Sequence, residues 1–528
     1  MQRVLTERKA GGIADDHNEK GTVAKWIDRL IVGFLFLFAA FAPHSIAVTQ
    51  IAWIAGMLFW VVRFAFHPIP ISHKTPLDYA LLGFFIVTGL SALFSYEPMV
   101  SIGKLRAASL FTIVYLFAQN IPSRRILRLL ALTLIASCLI NVLYTVGQRV
   151  IGRSVKIQSL KVESPLYASG VRAGDTLLEI NGQKVDNPED LMNVLATSDK
   201  RAAKLITYRH ELLLAFNVER GKLLDGRTTE ERLGIEAWSK GRDWRASGFY
   251  GHYVTYAEVL QLILALTLGL FVCLPTKRSW VGALLMIAFV GFCYSLILTV
   301  TRASWGAFLI SSTVILLLGT SRRTILVVGL LAIPLVLAGL FILQQKRSVS
   351  FFDPADQSTM WRQTVWREGF DLLVSKPRHL IFGVGMDSIK AHWREWDMFD
   401  HGHIPIGHMH SNLLQLALER GVPALVLWLV LLGLYARMLW RLTRELKNKS
   451  VSNTASDWSA GNESRVDLGL WIERGIILGA LGGLAGFFAS GLVHYNWGDS
   501  EVVMIFYFIM GLSLAVRRAT VDPAFAAS

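Results

Sequence analysis

The sequence predicts an all-α polytopic membrane protein of about twelve transmembrane helices, with a small α+β domain inserted between the fifth and sixth. Three observations carry this. The 528 residues are 53% hydrophobic and only 17% charged, with a mean hydropathy of +0.44, which is too apolar for a soluble chain of this length. Apolar runs of about twenty residues recur along most of the chain. Between residues 148 and 223 they give way to short alternating segments and turn signals.

The apolar runs fall near 27–43, 45–66, 77–95, 104–119, 125–147, 252–274, 279–299, 303–319, 324–344, 410–440, 468–491 and 500–516. If these spans alternate, the basic clusters at Lys74, Arg124–Arg125–Arg128, Lys277–Arg278, Arg322–Arg323, Arg437 to Lys449 and Arg517–Arg518 share one side. The positive-inside rule makes that side the cytoplasm, with both termini inside. Much of the net charge of +14 is then topogenic, and no nucleic-acid partner is expected. The first 25 residues are polar and lack a short apolar core with a cleavage site, so no signal peptide is expected. Cys138, Cys273 and Cys293 all sit in apolar runs and read as small core residues.

This organisation divides the chain into an N-terminal tail with five spans (1–147), an external domain (148–223) and a second membrane domain (224–528). The second domain carries a large external loop at 345–409. Ser450 to Ser464, rich in Ser, Asn and Gly, reads as a flexible cytoplasmic linker.

In the inserted domain, Val155–Leu160 alternates like a strand, and Thr176–Ile180 runs into the hairpin turn Asn181-Gly182. Asn187-Pro188-Glu189-Asp190 caps a short helix to about Ala196, and Ala203–Val218 reads as a last hairpin. The order Ser164-Pro165…Ser169-Gly170-Val171-Arg172-Ala173-Gly174-Asp175…Glu189-Asp190-Leu191 resembles a bacterial PDZ domain. That resemblance implies a protein or peptide partner added at a sheet edge, with Val150-Ile151-Gly152-Arg153 as the candidate carboxylate-binding loop. The domain could equally be a rigid spacer.

Four polar features reach the outer side. They are Arg245 to Tyr253, which includes His252; Arg302, between two spans with hardly any loop; His410, read as standing at the mouth of the 410–440 span; and the turn His494 to Glu501, which includes Asp499. Ionisable groups at such positions are costly unless used or satisfied. Arginine forks suit a pyrophosphate head group at the bilayer surface. A histidine near a helix N-terminus is held neutral and can accept a proton. The cluster His401, His403, His408 and His410 matches no familiar metal-site spacing, so neither a metal nor any other cofactor is expected.

The block Met360-Trp361-Arg362…Trp366-Arg367-Glu368-Gly369, then Gly383-Val384-Gly385-Met386 and His410-Ser411-Asn412…Glu419-Arg420-Gly421, resembles the O-antigen ligase/polymerase superfamily. The segments around Arg245, Arg302 and Asn496-Trp497-Gly498-Asp499 agree with it. The resemblance implies a metal-independent glycosyltransferase on the periplasmic face of the bacterial inner membrane. Its donor would be an undecaprenyl-pyrophosphate-linked glycan and its acceptor a hydroxyl, on lipid A-core in lipopolysaccharide biosynthesis, on a growing polymer, or on a protein. By the same resemblance, His410 is the base, Arg245 and Arg302 hold the pyrophosphate, and His252 and Asp499 support substrate binding. Two other classes stay open at this point, a lipid-linked glycan transporter and a signalling scaffold built on the PDZ-like domain.

Overall fold

A computed structural model describes residues 2–66, 74–197, 201–209, 212–242, 244–330, 357–459 and 470–521. The first segment runs through α1 (Gln2–Phe41), α2 (Ile46–Arg63), α3 (Asp78–Leu93), α4 (Pro98–Ala108), α5 (Thr112–Asn120) and α6 (Arg124–Ile151). The insert follows as β1 (Arg153–Leu160), α7 (Pro165–Ser169), β2 (Thr176–Ile180), β3 (Gln183–Lys184), α8 (Pro188–Thr197), β4 (Ala202–Arg209), β5 (Leu212–Glu219), α9 (Thr229–Leu233) and β6 (Ile235–Gly241). The chain then continues through α10 (Tyr253–Cys273), α11 (Trp280–Leu298), α12 (Arg302–Gly319), α13 (Gln357–Val374), α14 (Pro377–Phe382) and α15 (Ser388–His392). It ends in α16 (Asn412–Arg420), α17 (Val422–Ser459), α18 (Trp471–Gly491) and α19 (Ser500–Val521).

Among the described residues, nine helices are long and apolar enough to cross a membrane: α2, α4–α5 taken together, α6, α10, α11, α12, α17, α18 and α19. Of the other expected spans, 27–43 lies in α1 as far as Phe41, 77–95 contains the shorter apolar helix α3, and 324–344 lies beyond the described residues after 330. The expected linker from Ser450 continues α17 as helix to Ser459, and 460–464 lies outside the described residues.

One expectation is corrected outright. The run 410–440 is not a single span with His410 at its mouth. It breaks after Arg420, where Gly421 takes φ 83° and a Cβ would sit 2.2 Å from the Ile381 carbonyl oxygen. Only glycine permits both the left-handed backbone and that approach. His410 therefore precedes a separate nine-residue helix, α16.

The chain forms two compact units, residues 142–248 with 298–300, and the remainder. The smaller unit is one antiparallel sheet in the order β5-β4-β2-β1-β6, with β3 paired to β2. Asn181 and Gly182 both take positive φ (48° and 82°), as a tight hairpin turn between β2 and β3 requires. The β4–β5 hairpin pairs Ala203 with Val218. Val155, Ile157, Leu177, Ile180, Leu191 and Leu205 fill the core. Val150-Ile151-Gly152-Arg153, the candidate carboxylate-binding loop, is the end of α6 and the start of β1. The sheet runs on to β6, whose outer edge has no strand beside it among the described residues.

In the larger unit, α10 and α18 pack backbone to backbone. A Cβ at Gly479 would lie 2.7 Å from the Leu266 Cα, and one at Gly475 would lie 2.6 Å from the Leu270 Cα. Small residues four apart are how helices approach closely where no hydrophobic drive separates protein from lipid. Gly479→Val is expected to destabilise the protein by about 1–3 kcal/mol or more. Gly433→Ala on α17, where nothing lies within 4 Å, should leave the melting midpoint unchanged or slightly raised. Thermal unfolding in detergent compares the two.

One end of this unit gathers basic groups. Arg128 bonds Glu473 (2.8 Å), Arg124 donates to the Ala519 carbonyl (3.0 Å), and Arg518 donates to the Gln119 carbonyl (3.1 Å). The other end gathers the polar turns.

Candidate functional site

The site is built around a carboxylate that the apolar sequence of α10 conceals. Glu258 is 1% exposed and accepts four hydrogen bonds. Its Oε1 takes Ser304 Oγ (3.1 Å) and His494 Nδ1 (3.0 Å), and its Oε2 takes Ser490 Oγ (2.7 Å) and Asn496 Nδ2 (3.3 Å). Asn496 in turn accepts from Asn412 Nδ2 (2.6 Å), and the Trp497 amide donates to Asn412 Oδ1 (3.1 Å). These bonds tie the second turn of α10, the first turn of α12, the end of α18, the 494–499 turn and the first residue of α16 into one polar plate.

Each sequence-derived candidate can be placed against that plate. Arg302 is half-buried and opens α12, two residues before Ser304. Asp499 accepts a 2.5 Å hydrogen bond from Thr255 Oγ1, which also lies 3.5 Å from His252 Nδ1. Glu501 shares a hydrogen bond with Asp499. His252 is exposed and caps the start of α10. Arg245 belongs to the smaller unit, next to the buried Trp244 and to Ala246, whose amide donates to the Leu298 carbonyl (2.9 Å).

His410 stands on a left-handed turn (φ 49°), an unusual backbone for a residue with a side chain. The turn is held on both sides of Met409, whose amide donates to Gln415 Oε1 (2.6 Å) and whose carbonyl accepts from Trp366 Nε1 (2.7 Å). Such strain persists only where its surroundings over-determine it. The His410 ring packs edge-on against His408 at 4.3 Å between centroids, and His408 lies 5.7 Å from the Tyr495 ring. Desolvation by the surrounding protein, then His408, Arg362 and His494, lower the His410 pKa to about 3, and desolvation likewise lowers His408 to about 4. The His410 side chain keeps a solvent-exposed edge, which moderates the shift. The imidazole is neutral at physiological pH. His401 and His403 are exposed and bond Asp397 and the Asp400 carbonyl instead, so the four histidines do not converge.

The two glycine-bearing stretches singled out in the sequence meet here. Val384 and Gly385 donate their amides to the carbonyls of Leu418 (2.8 Å) and Glu419 (2.9 Å), and a Cβ at Gly383 would lie 2.4 Å from the Glu419 carbonyl carbon. The Glu419 carboxylate accepts from the Asp387 amide (3.0 Å) and Tyr495 Oη (3.3 Å). Burial pushes its pKa up, opposed by Arg420 and these hydrogen bonds.

Sequence reasoning missed Glu258 and the Asn412–Asn496 bridge. The signal for Glu258 was present as the lone acid in the apolar run after Tyr253, which by the cost of an intramembrane charge should have ranked with Arg302.

Residues 287–429 match the O-antigen ligase family, and residues 142–213 match the Tricorn protease PDZ domain. The first match includes Arg302, His410 and Glu419. No curated protein matches the chain.

Proposed function

We infer that this multi-pass membrane protein, which carries an O-antigen ligase domain and an inserted PDZ domain, is a glycosyltransferase. It moves glycan from undecaprenyl pyrophosphate to an acceptor hydroxyl, in lipopolysaccharide biosynthesis the ligation of O-antigen to lipid A-core. The observation that carries the reading is the neutral His410 imidazole, fixed on a strained turn at the same end of the helix bundle as the start of α12. His410 takes the proton of the acceptor hydroxyl as its oxygen bonds the anomeric carbon. The bond from that carbon to the pyrophosphate oxygen breaks, and undecaprenyl pyrophosphate leaves with the electron pair. Arg302 holds the pyrophosphate and stabilises its developing charge, a role for which arginine forks are suited and which the family resemblance also gives Arg245. His252 and Asp499, joined through Thr255, bind the glycan or orient the groups around it. The reaction needs no metal.

The gathering of basic groups at one end of the bundle, read by the positive-inside rule as the cytoplasmic end, supports a periplasmic position for His410. The inserted PDZ domain, with the free edge of β6, suits a protein or peptide partner by strand addition.

The test is the glycan profile of a deletion strain complemented with wild type or Arg302→Ala. Polymer lost from lipid A-core and accumulated on undecaprenyl pyrophosphate, restored only by wild type, is the expected result. A core carrying at most one repeat would make the protein a polymerase. An unchanged lipopolysaccharide with altered glycoproteins would make it a protein O-oligosaccharyltransferase, and full rescue by Arg302→Ala would remove Arg302 from the mechanism.

A further inference from the structure

Arg420 is 6% exposed and always charged, yet its guanidinium has neither a hydrogen bond nor an ion pair among the described residues. Its Nε is wholly buried without a partner. Its contacts are the Phe84 ring, 5.5 Å from the guanidinium carbon, and the field of Glu419. The Glu419 carboxylate is already committed to the Asp387 amide and the Tyr495 hydroxyl. A buried cation left in this condition is costly.

Arg420 lines a cleft of about 100 Å³, together with Lys104, Tyr495, Tyr507, the rings of Phe84 and Trp497, and the carboxylates Asp387 and Glu419. Tyr507 is 2% exposed, and its hydroxyl has no hydrogen-bond partner among the described residues. Lys104 pairs with Asp387 at 2.5 Å but is half exposed, and Asp387 has a second cation in Lys390 at 3.0 Å. Lys104 can therefore turn toward a ligand without stranding Asp387. Arginine, lysine and tyrosine donors lining one cleft with apolar rings suit a group with several acceptor oxygens attached to a larger body.

We propose that this cleft binds a phosphoryl oxyanion through Arg420, Tyr507 and Lys104, at a site separate from the residues assigned to the transfer step. The rings of Tyr495, His408 and His410 connect the cleft to the proposed base, so an anion held there would place the rest of its carrier beside His410. The inference does not require His410 to be a base. Binding is read without turnover, so an inactive His410→Ala protein that still binds leaves it standing.

The test is thermal unfolding and calorimetric titration of the full-length protein in zwitterionic detergent, with inorganic pyrophosphate as the probe. The Arg302→Gln background removes the arginine assigned to the donor. The expected result is protection by pyrophosphate in wild type and in Arg302→Gln. Arg420→Met should weaken binding about tenfold or more, and Tyr507→Phe should weaken it several-fold. Arg420→Met without ligand should still unfold in one cooperative transition, because methionine fills the volume of the arginine stem. A parallel arm in nanodiscs with and without phosphatidylglycerol names the source. Arg420-dependent protection by the anionic lipid alone assigns the phosphoryl group to a bilayer headgroup, and protection by pyrophosphate assigns it to a soluble or substrate-borne phosphate. Unchanged affinity in both Arg420→Met and Tyr507→Phe, with no Arg420-dependent lipid effect, would overturn the proposal.

Discussion

His410→Ala is expected to lower the rate of glycan transfer by about 10²–10⁴-fold, the usual contribution of a positioned general base, or about 3–5 kcal/mol of transition-state stabilisation. The protein should remain folded, because the ring is exposed on one edge and makes no hydrogen bond that closes the turn. Met409, not His410, anchors that turn, through Gln415 and Trp366. The measurement is release of undecaprenyl pyrophosphate from donor and acceptor by purified protein in detergent, where no membrane remains to be crossed. Turnover near wild type in His410→Ala would remove the base from the mechanism. Donor binding without release in the wild-type protein would favour a transporter.

The pH profile gives the same prediction a second readout. With its pKa held below the ordinary histidine value by desolvation and by His408, Arg362 and His494, the imidazole stays deprotonated as the pH falls through the ordinary histidine range. The acid limb of kcat/KM should therefore begin well below pH 6.5, rather than at it. The sign is the same for folding. The folded-state pKa lies below the unfolded one, so whatever stability attaches to the neutral ring is present above about pH 6.5 and lost as the pH falls toward the folded value.

How much of this was legible in the sequence depends on where the information lies. Periodicity and turn chemistry are local, so β1, β2, the Asn181-Gly182 turn, α8 and the β4–β5 hairpin could all be read directly. The last strand of the sheet, β6, follows a charged stretch and pairs with β1 across about 75 residues, a partnership that local pattern does not encode. The break at Gly421 was also hidden. Hydropathy sees an unbroken apolar run through 410–440, whereas the glycine there answers to Ile381, forty residues earlier. His410, His252, Asp499 and Arg302 stood out as polar residues at the ends of apolar runs. Glu258 did not, because one acid hardly alters the hydropathy of a helix whose other residues are so apolar.

Glu258→Ala should have the largest effect on the fold. The carboxylate is the common acceptor for Ser304, His494, Ser490 and Asn496. Its removal leaves Ser304 and His494 facing a cavity, while Asn496 keeps the Phe487 carbonyl and Ser490 Oγ and Ser490 can turn to the Phe487 carbonyl. Each unsatisfied buried group costs about 1–3 kcal/mol, partly relieved where a hydroxyl turns to another acceptor. A net loss of about 3–5 kcal/mol is therefore expected, the scale seen when one partner of a buried charged network is removed. Glu258→Gln keeps the volume and one carbonyl acceptor. The serine hydroxyls can rotate to accept from its amide, so it should fold with a smaller loss. Activity separates this from a purely structural role. Arg302 lies two residues before Ser304 and Asp499 three after Asn496, so a loosened plate misplaces both ends of the substrate site. In Glu258→Gln, KM for the donor should rise more than kcat falls, with the melting midpoint between those of alanine variant and wild type. An alanine variant as stable and as active as wild type would show that the plate does not hold the site together. Heating the two variants in detergent, followed by size-exclusion analysis and donor titration, decides it.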